Sequence, residues 1–229
     1  MSEGYVYLHH KSNREIEIIR STELVKLQDV LHLENELIPS LGFNDENLYE
    51  QPEIVKSNTG GLRIWQYPNQ FSKYLIFLSE HNVKSYIEIG CRWGGTFILT
   101  TEYLRKLHPD DKIYSVAVDI IDSPVRHYEH CKFLQCSTRS FIFEKFIRDK
   151  FFDVCFIDGD HSYEGVKSDY NICKTHARIF VFHDIVSDVC PGVVKFWNEI
   201  KTTGKEYHEF TEQYSDVNGI YLGIGIVIF

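Results

Sequence analysis

From residue 70 onward, short apolar runs alternate with segments of helical periodicity. The apolar runs are Ser85–Gly90, Lys112–Asp119, Lys132–Gln135, Phe152–Asp158, Ala177–His183 and, as a final strand or hairpin, Gly219–Phe229. Helical periodicity is found at Gln70–His81, Thr96–Leu107, Ser140–Phe151, Tyr163–Lys174 and Val193–Lys201. Strands that alternate with helices form βαβ units, and parallel strands covered on both faces have continuous apolar sequences. The alternation predicts an α/β fold with a doubly wound, mostly parallel sheet.

The first sixty residues have a different character. Ser21–Leu37 has apolar residues at helical spacing, with Ser21 or Thr22 as N-cap and Pro39 as the end of the helix. The polar, turn-rich stretch Gly42–Gly61 is typical of a loop that covers a site or builds a dimer contact. We therefore divide the chain into a helical extension with a cover loop (1–60) and a main domain (61–229).

Charge and cysteine usage exclude several classes of protein. The 229 residues include 24 Lys and Arg against 33 Asp and Glu, a net charge of −9 that argues against binding nucleic acid or anionic membranes by bulk charge. None of the six cysteines forms a Cys-x-x-Cys pair, so we expect no structural zinc site. Charges near the N-terminus replace the apolar core of a signal peptide, and no apolar stretch approaches the ~20 residues of a membrane span. We expect a cytoplasmic protein, and a homo-oligomer is compatible with the sequence.

A glycine-rich loop follows the first apolar run, in the segment YIEIGCRWGGTF at residues 86–97. A dinucleotide-binding fingerprint needs glycine at Arg92, and a P-loop needs Gly-Lys-Ser/Thr, so neither motif is present. Backbone N–H groups between Gly94 and Thr96 can bind a carboxylate or another anion. Glu88 can accept hydrogen bonds from an ammonium group or from the loop amides. The alternative is a tight turn that serves packing alone.

This segment resembles the first motif of class I S-adenosylmethionine (SAM)-dependent methyltransferases, an acid followed by x-Gly-x-x-x-Gly-Gly-Ser/Thr. Over residues 61–229 the chain is similar to small-molecule O-methyltransferases of the cephalosporin hydroxylase and macrocin O-methyltransferase type, methyltransferase family 24. The resemblance implies a Rossmann-like, seven-stranded sheet and SAM as cofactor. By the same resemblance, the methionine moiety of SAM is bordered by Glu88, Gly90, Arg92, Gly94 and Thr96.

Two further positions are candidates for binding the nucleoside part of SAM. Asp119 ends the second apolar run, and an acid at this place in nucleotide-binding folds accepts hydrogen bonds from both ribose hydroxyls. Asp122 is a rival, although the apolar strand runs directly into Asp119. Ser137 follows the third run, where such enzymes often contact adenine, and a helix N-cap is the alternative role for this serine.

Acids and histidines follow the next two apolar runs. The segment FDVCFIDGDH places Asp158 and His161 at the end of one strand, and ARIFVFHD places His183 and Asp184 at the end of the next. Because the carboxyl ends of adjacent parallel strands meet at one edge of the sheet, these groups should lie close together. An oxygen-rich site of this kind suits Mg²⁺.

The same groups resemble the site of metal-dependent O-methyltransferases such as catechol O-methyltransferase. The resemblance places Asp158 on the first metal-binding acid, which also borders SAM, and His183 with Asp184 on the later pair of ligands. His161 falls on the general base, where those enzymes have lysine. Since imidazole is a softer ligand than Mg²⁺ prefers, Mn²⁺, Fe²⁺, Zn²⁺ or no metal are the alternatives.

The sequence thus predicts a SAM-dependent methyltransferase that acts on a hydroxyl of a small metabolite, with a sugar as one option. A metal on Asp158 and Asp184 would lower the pKa of the hydroxyl, and His161, with an ordinary pKa near ~6.5, would take its proton. One alternative is a metal-independent O- or N-methyltransferase with a histidine base, and another is a non-catalytic SAM-binding protein. The acidic net charge and the absence of an Asn-Pro-Pro-Tyr/Phe motif disfavour a nucleic-acid substrate.

Overall fold

Seven strands form one sheet in the computed structural model, which describes residues 14–229. The strands are β1 (Ser85–Ile89), β2 (Tyr114–Asp119), β3 (Lys132–Gln135), β4 (Phe152–Ile157), β5 (Ala177–His183), β6 (Glu206–Phe210) and β7 (Ile224–Ile228). Their order is β3-β2-β1-β4-β5-β7-β6; β1 to β5 are parallel, and β7 is antiparallel to both β5 and β6. The predicted doubly wound, mostly parallel sheet is confirmed.

Helices cover both faces of the sheet. They are α1 (residues 14–21), α2 (Leu24–Leu27), α3 (Val30–His32), α4 (Ile38–Leu41), α5 (Glu53–Lys56), α6 (Pro68–Ser79), α7 (Gly95–Leu107), α8 (Phe141–Ile147), α9 (Tyr163–Cys173) and α10 (Pro191–Ile200). A π-helical turn (Leu33–Leu37) joins α3 to α4, and 3₁₀ turns occur at Leu48–Glu50 and Pro124–His127. Within residues 14–229, no helix combines the length and hydrophobicity required to cross a bilayer.

Two hydrophobic cores lie on opposite faces of the sheet, because successive side chains of a strand point in opposite directions. In β4, Val154 and Phe156 belong to the core built with α6 and α7. Cys155 and Ile157, their neighbours in sequence, belong to the core built with α8, α9 and α10. With both faces covered, the carboxyl ends of the strands are the open edge at which a ligand can bind.

The prediction of one continuous helix over Ser21–Leu37 that ends at Pro39 is wrong. The chain breaks the helix after residue 21 and again between α2 and α3. Pro39 lies in the first turn of α4, where the missing proline N–H is tolerated, and the helix ends only at Gly42, with φ +88°. Apolar side chains of these helices, Ile19 among them, pack into the same core as α6 and α7.

Part of the predicted N-terminal extension, residues 1–13, lies outside the described residues, and so does much of the segment on which the signal-peptide expectation rests. The division at residue 60 stays a prediction. The stretch 42–61 is irregular apart from α5 and one 3₁₀ turn, as its polar sequence indicates.

Candidate functional site

A cavity of about 820 Å³ opens at the carboxyl ends of β1, β2, β4 and β5. Every site residue predicted from the sequence lines this cavity: Glu88, Gly90, Arg92, Gly94, Thr96, Asp119, Ser137, Asp158, His161, His183 and Asp184. The parallel topology explains why positions up to 96 residues apart in sequence meet, since each follows the end of a neighbouring strand. The roles assigned to them stay predictions.

The loop after β1 bends sharply between Gly90 and α7. Gly90 has φ +87°, and a Cβ at this position would lie 2.0 Å from the backbone carbonyl oxygen of Asp158. Among the described residues no side chain caps the start of α7, and Gly94 to Thr96 line the cavity there. The first amides of this 13-residue helix are therefore available to an anion, as the sequence predicts.

Gly90→Ala should lower the free energy of unfolding by about 2–5 kcal/mol, because a positive φ and a steric overlap with the β4 exit both oppose the new methyl group. Gly60→Ala is a matched control: Gly60 has φ +101°, but no atom of the described residues other than Gly60 and its chain neighbours lies within 4 Å of the place of the new methyl group. The control should lose only about 1–2 kcal/mol. Urea unfolding measures both; equal losses would show that contact with β4 does not require glycine at position 90.

Glu88 is buried beneath the loop, and its carboxylate accepts a hydrogen bond from the Tyr86 hydroxyl of the same strand. The expected bonds from the loop amides are not formed. Burial raises the pKa of Glu88 from 4.5 to about 8, although the hydrogen bond from Tyr86 opposes that rise. Glu88 is therefore largely uncharged at neutral pH in the folded chain.

This raised pKa predicts a pH dependence of stability. Between pH 4.5 and about 8 the unfolded chain releases a proton that folded Glu88 keeps, so the free energy of unfolding falls as pH rises. The slope is at most about 1.4 kcal/mol per pH unit. Glu88→Gln should remove this contribution, so the variant should gain stability relative to wild type as pH rises through this window. Urea titrations at several pH values test this; a pH-independent difference between the two proteins would contradict it.

Asp119 joins the loops that follow β1 and β2. Its carboxylate accepts hydrogen bonds from the backbone N–H of Arg92 at 2.7 Å and of Ile121 at 3.0 Å. Asp122, the rival for ribose binding, forms an ion pair with Arg126 at 2.7 Å and does not line the cavity. Asp119 lines the cavity and stays the candidate for ribose binding, because a carboxylate oxygen can accept more than one hydrogen bond.

Ser137 lies at the exposed rim and accepts a hydrogen bond from the backbone N–H of Arg139 at 3.2 Å. The N-cap of α8 is Ser140, whose hydroxyl accepts from the N–H of Phe143 at 3.3 Å. The alternative role of Ser137 as the helix cap is therefore wrong. Contact with a ligand in the cavity stays a prediction for this serine.

The acids and histidines at the ends of β4 and β5 form one hydrogen-bonded cluster. Asp158 Oδ1 lies 3.1 Å from His183 Nδ1 and 3.2 Å from His161 Nε2. Asp184 Oδ2 lies 3.4 Å from His161 Nδ1 and 3.5 Å from His183 Nδ1. His183 Nε2 is buried and has no hydrogen-bond partner among the described residues. The predicted convergence of these four side chains is confirmed.

The carboxylates and imidazoles of the cluster hold one another in their charged forms. The hydrogen bond to Asp158, followed by the contact with Cys190, raises the pKa of His161 to about 11. For His183, burial lowers the pKa, but the charges of Asp158 and Asp184 outweigh it and raise the pKa to about 10. The pKa of Asp158 stays well below its usual range, because the histidines outweigh its burial. The pKa of His161 therefore lies above the ordinary histidine value near ~6.5, because two carboxylates surround the ring.

Cys190 was not recognised from the sequence as part of this cluster. Its sulfur lies 3.3 Å from His161 Nδ1 and 3.3 Å from Asp184 Oδ2. Cys190 precedes α10, seven residues after His183, in a loop whose path the apolar pattern does not predict. The one sequence signal for Cys190 is that it follows the pair His183 and Asp184 within seven residues.

Further aromatic and basic side chains of the cavity lining were also missed. The Arg63 guanidinium lies over the Trp93 ring at 4.7 Å, and Trp65 lines the same wall. Arg92 pairs with Glu46 at 2.8 Å and so contacts the stretch 42–61. That stretch contributes Glu46, Asn47 and Glu50 to the lining, which supports its interpretation as a cover.

Unusual backbone conformations are concentrated around the cavity. Within residues 14–229, six non-glycine residues have positive φ values, and five of them line it: Asn47, Arg63, Arg92, Asp184 and Leu222. Such conformations cost about 1–3 kcal/mol each, and they cluster at functional sites. This distribution, independent of any motif, points to the same cavity as the candidate functional site.

Solved structures of methyltransferases share this fold. An O-methyltransferase from Bacillus cereus in complex with SAH matches 97% of this chain and 100% of its own, with a TM-score of 0.53 and 12% identity. TomG, an O-methyltransferase from Streptomyces achromogenes in complex with SAM, matches 83% of this chain and 93% of its own, with a TM-score of 0.50 and 14% identity. The METTL16 MTase domain matches 72% of this chain and 70% of its own, with a TM-score of 0.51 and 12% identity.

No protein-family model matches the chain, and no curated protein matches it in sequence. At 12–14% identity, the structural likeness establishes the Rossmann-like methyltransferase fold and nothing finer. The likeness to the cephalosporin hydroxylase and macrocin O-methyltransferase type stays a prediction.

Proposed function

We propose that this chain is a SAM-dependent methyltransferase that transfers a methyl group to a hydroxyl of a small metabolite, assisted by a divalent cation. The observation that carries the proposal is that one cavity contains the Gly90–Thr96 loop, Asp119 and the cluster around Asp158. Its volume of about 820 Å³ falls within the ~300–1,000 Å³ of small-molecule sites.

The lining supports the placement of each part of SAM. The open amides at the start of α7 suit the methionine carboxylate, with the Arg92 backbone beside them. Asp119 suits the ribose hydroxyls, because it places a carboxylate acceptor at the end of β2. Ile121 and Ser137 lie at the adjoining strand exits and suit adenine. The cluster at the ends of β4 and β5 would then face the sulfonium side of the cofactor.

The donor set of the cluster fits a divalent cation. Asp158, His183 and Asp184 offer ligand atoms within 4.8 Å of one another. The buried Nε2 of His183 has no hydrogen-bond partner within residues 14–229, which is consistent with an ion as its missing partner. The two carboxylates suit Mg²⁺ or Mn²⁺, and the imidazole suits Fe²⁺ or Zn²⁺. When bound, the cation would supply Lewis acidity that lowers the pKa of an acceptor hydroxyl.

The residues of the chain position and deprotonate the acceptor. Asp158 fixes the ring of His161 through the contact at Nε2. Asp158 and Asp184 raise the pKa of His161. The pKa of His161 would fall with a cation bound beside these carboxylates, and only then can His161 take the hydroxyl proton at neutral pH. Val189 and Leu222 add apolar side chains to the lining of the cavity. Alignment of the oxygen with the methyl group supplies much of the acceleration.

Calorimetric titration of the full chain with SAM tests the cofactor assignment. Saturable binding with one site per chain is the expected result, and the absence of heat at millimolar SAM would remove the enzyme and the SAM-binding proposals together. SAH formation with a panel of sugars, polyols and catechols then tests for turnover. EDTA should abolish turnover, and added metal should restore it. Turnover that EDTA leaves unchanged would favour the metal-independent alternative. SAM binding without turnover on any acceptor would favour a non-catalytic role.

A further inference from the structure

Three side chains of the cluster enclose a nearly equilateral triangle of donor atoms. Cys190 Sγ lies 3.3 Å from His161 Nδ1 and 3.3 Å from Asp184 Oδ2, and the last two atoms are 3.4 Å apart. We propose that these three atoms form a thiolate-containing site for a borderline transition-metal ion of the Zn²⁺ type. We call His161, Asp184 and Cys190 the cysteine triad. It shares only Asp184 with the ligand set Asp158, His183 and Asp184.

The lengths of the triangle's sides match a tetrahedral zinc site. Zinc bonds of about 2.0–2.1 Å to nitrogen or oxygen and about 2.3 Å to sulfur place tetrahedral nitrogen and oxygen ligands about 3.4 Å apart and sulfur about 3.5–3.6 Å from either. The observed sides lie within about 0.3 Å of these separations. Octahedral Mg²⁺, with bonds of about 2.0–2.1 Å, needs adjacent ligands about 2.9 Å apart and disfavours sulfur. The observed separations and the donor types both favour the zinc-type ion.

The surroundings of His161 add independent support. A histidine that binds metal through one ring nitrogen usually donates the other N–H to a carboxylate, which fixes the tautomer and the ring orientation. His161 directs Nδ1 toward the cysteine triad and Nε2 toward Asp158 Oδ1, at 3.2 Å. Asp158 would therefore act as the supporting carboxylate of the triad.

The backbone holds the three donors in place. Asp184 adopts φ +62° directly after β5, and Cys190 immediately precedes α10. The start of α10 packs so tightly on the neighbouring loop that a Cβ at Gly192 would lie 2.4 Å from the Tyr163 nitrogen and 2.7 Å from the His161 carbonyl oxygen. This contact fixes Cys190 relative to His161.

The triad leaves one side for a ligand. The Asp184 side chain is only 5% exposed, whereas the His161 side chain is 44% exposed, and all three donors line the cavity. Three protein ligands with one open position are typical of catalytic zinc sites, in contrast to closed structural ones. In this arrangement His161 binds the ion through Nδ1, so the triad is an alternative to the role as base proposed for His161 above and does not accompany it. The inference rests on the proposed function only for the use of the ion in the reaction.

Cobalt spectroscopy tests the triad without any turnover. The full chain is stripped with a chelator and titrated with Co²⁺ in the absence of SAM; a thiolate-to-cobalt charge-transfer band and intense tetrahedral d–d bands are expected. Zn²⁺ should abolish both, and excess Mg²⁺ should not. Cys190→Ser should remove the charge-transfer band and weaken Zn²⁺ binding by at least about 100-fold, since even supporting groups of metal sites cost 10–100-fold.

Two controls make the test specific. Cys136→Ser removes another cavity-lining thiol outside the cluster and should leave the spectrum unchanged. His183→Gln should also retain the charge-transfer band, whereas it would impair a site built on Asp158, His183 and Asp184. Absence of cobalt binding, or binding without a charge-transfer band, would overturn the triad. SAM calorimetry is a separate measurement, so failure of the methyltransferase proposal and failure of the triad are distinguishable.

Discussion

Asp184→Asn should lower the rate of methyl transfer by about 10³-fold while SAM affinity changes by no more than a few-fold. Asp184 is the one residue common to both possible ligand groups of the cluster, so either metal placement depends on its charge. Loss of a metal-binding carboxylate forfeits several kcal/mol of transition-state stabilisation, and about 4 kcal/mol corresponds to 10³-fold in rate. Asparagine tolerates the φ of +62° at this position, so the backbone should persist. SAH formation and SAM calorimetry measure the two effects.

Asp160→Asn is the matched control for this prediction. Asp160 lines the same cavity beside the cluster, but it is exposed and pairs with Arg139 at 3.5 Å. Its replacement should change turnover by less than about threefold, as expected for a solvent-screened ion pair. Thermal unfolding checks that both variants are folded. Equal turnover in the Asp184→Asn variant and wild type would mean that neither ligand group takes part in the reaction.

Asp119→Ala should weaken SAM binding by about 100-fold. Two ribose hydroxyls that donate to an ionised carboxylate contribute about 1.5–3 kcal/mol each, and a loss of about 3 kcal/mol already gives this factor. Part of the effect comes through Arg92, whose backbone N–H loses its acceptor.

Asp122→Ala is the corresponding control, because Asp122 has the same charge three residues away but forms its ion pair with Arg126 outside the cavity. Its SAM affinity should match wild type. Calorimetry on both variants, with circular dichroism melts to confirm folding, gives the comparison. If Asp122→Ala lost SAM affinity and Asp119→Ala did not, Asp122 and not Asp119 would be the acid that binds the ribose.

Residues at strand ends were predictable because the topology alone brings them together. Asp119, Asp158 and His183 each end or directly follow a continuous apolar run, and such runs indicate buried parallel strands. β6 was missed for the opposite reason. Its sequence, EYHEF, forms the sheet edge and is largely exposed, so the apolar pattern that marks the other strands is absent.

Features that depend on the path of a loop were not predictable. Cys190, Arg63 and Trp93 reach the cavity from irregular segments, whose course no periodicity determines. The protonation of His161 was also out of reach, since it depends on the distances to Asp158 and Asp184. The break in the first helix shows the same limit: apolar spacing predicted the helical segments but not the π-helical turn before Pro39.

The left-handed residues around the cavity have a consequence for engineering. Asn47, Arg63, Arg92, Asp184 and Leu222 hold conformations that glycine would adopt with less strain, so glycine at these positions would relieve strain at the expense of side chains that shape the ligand surface. Selection for thermostability alone and selection for activity should therefore diverge most at these five positions. A mutational library ranked by melting temperature would mark out the boundary of the site without any knowledge of the acceptor.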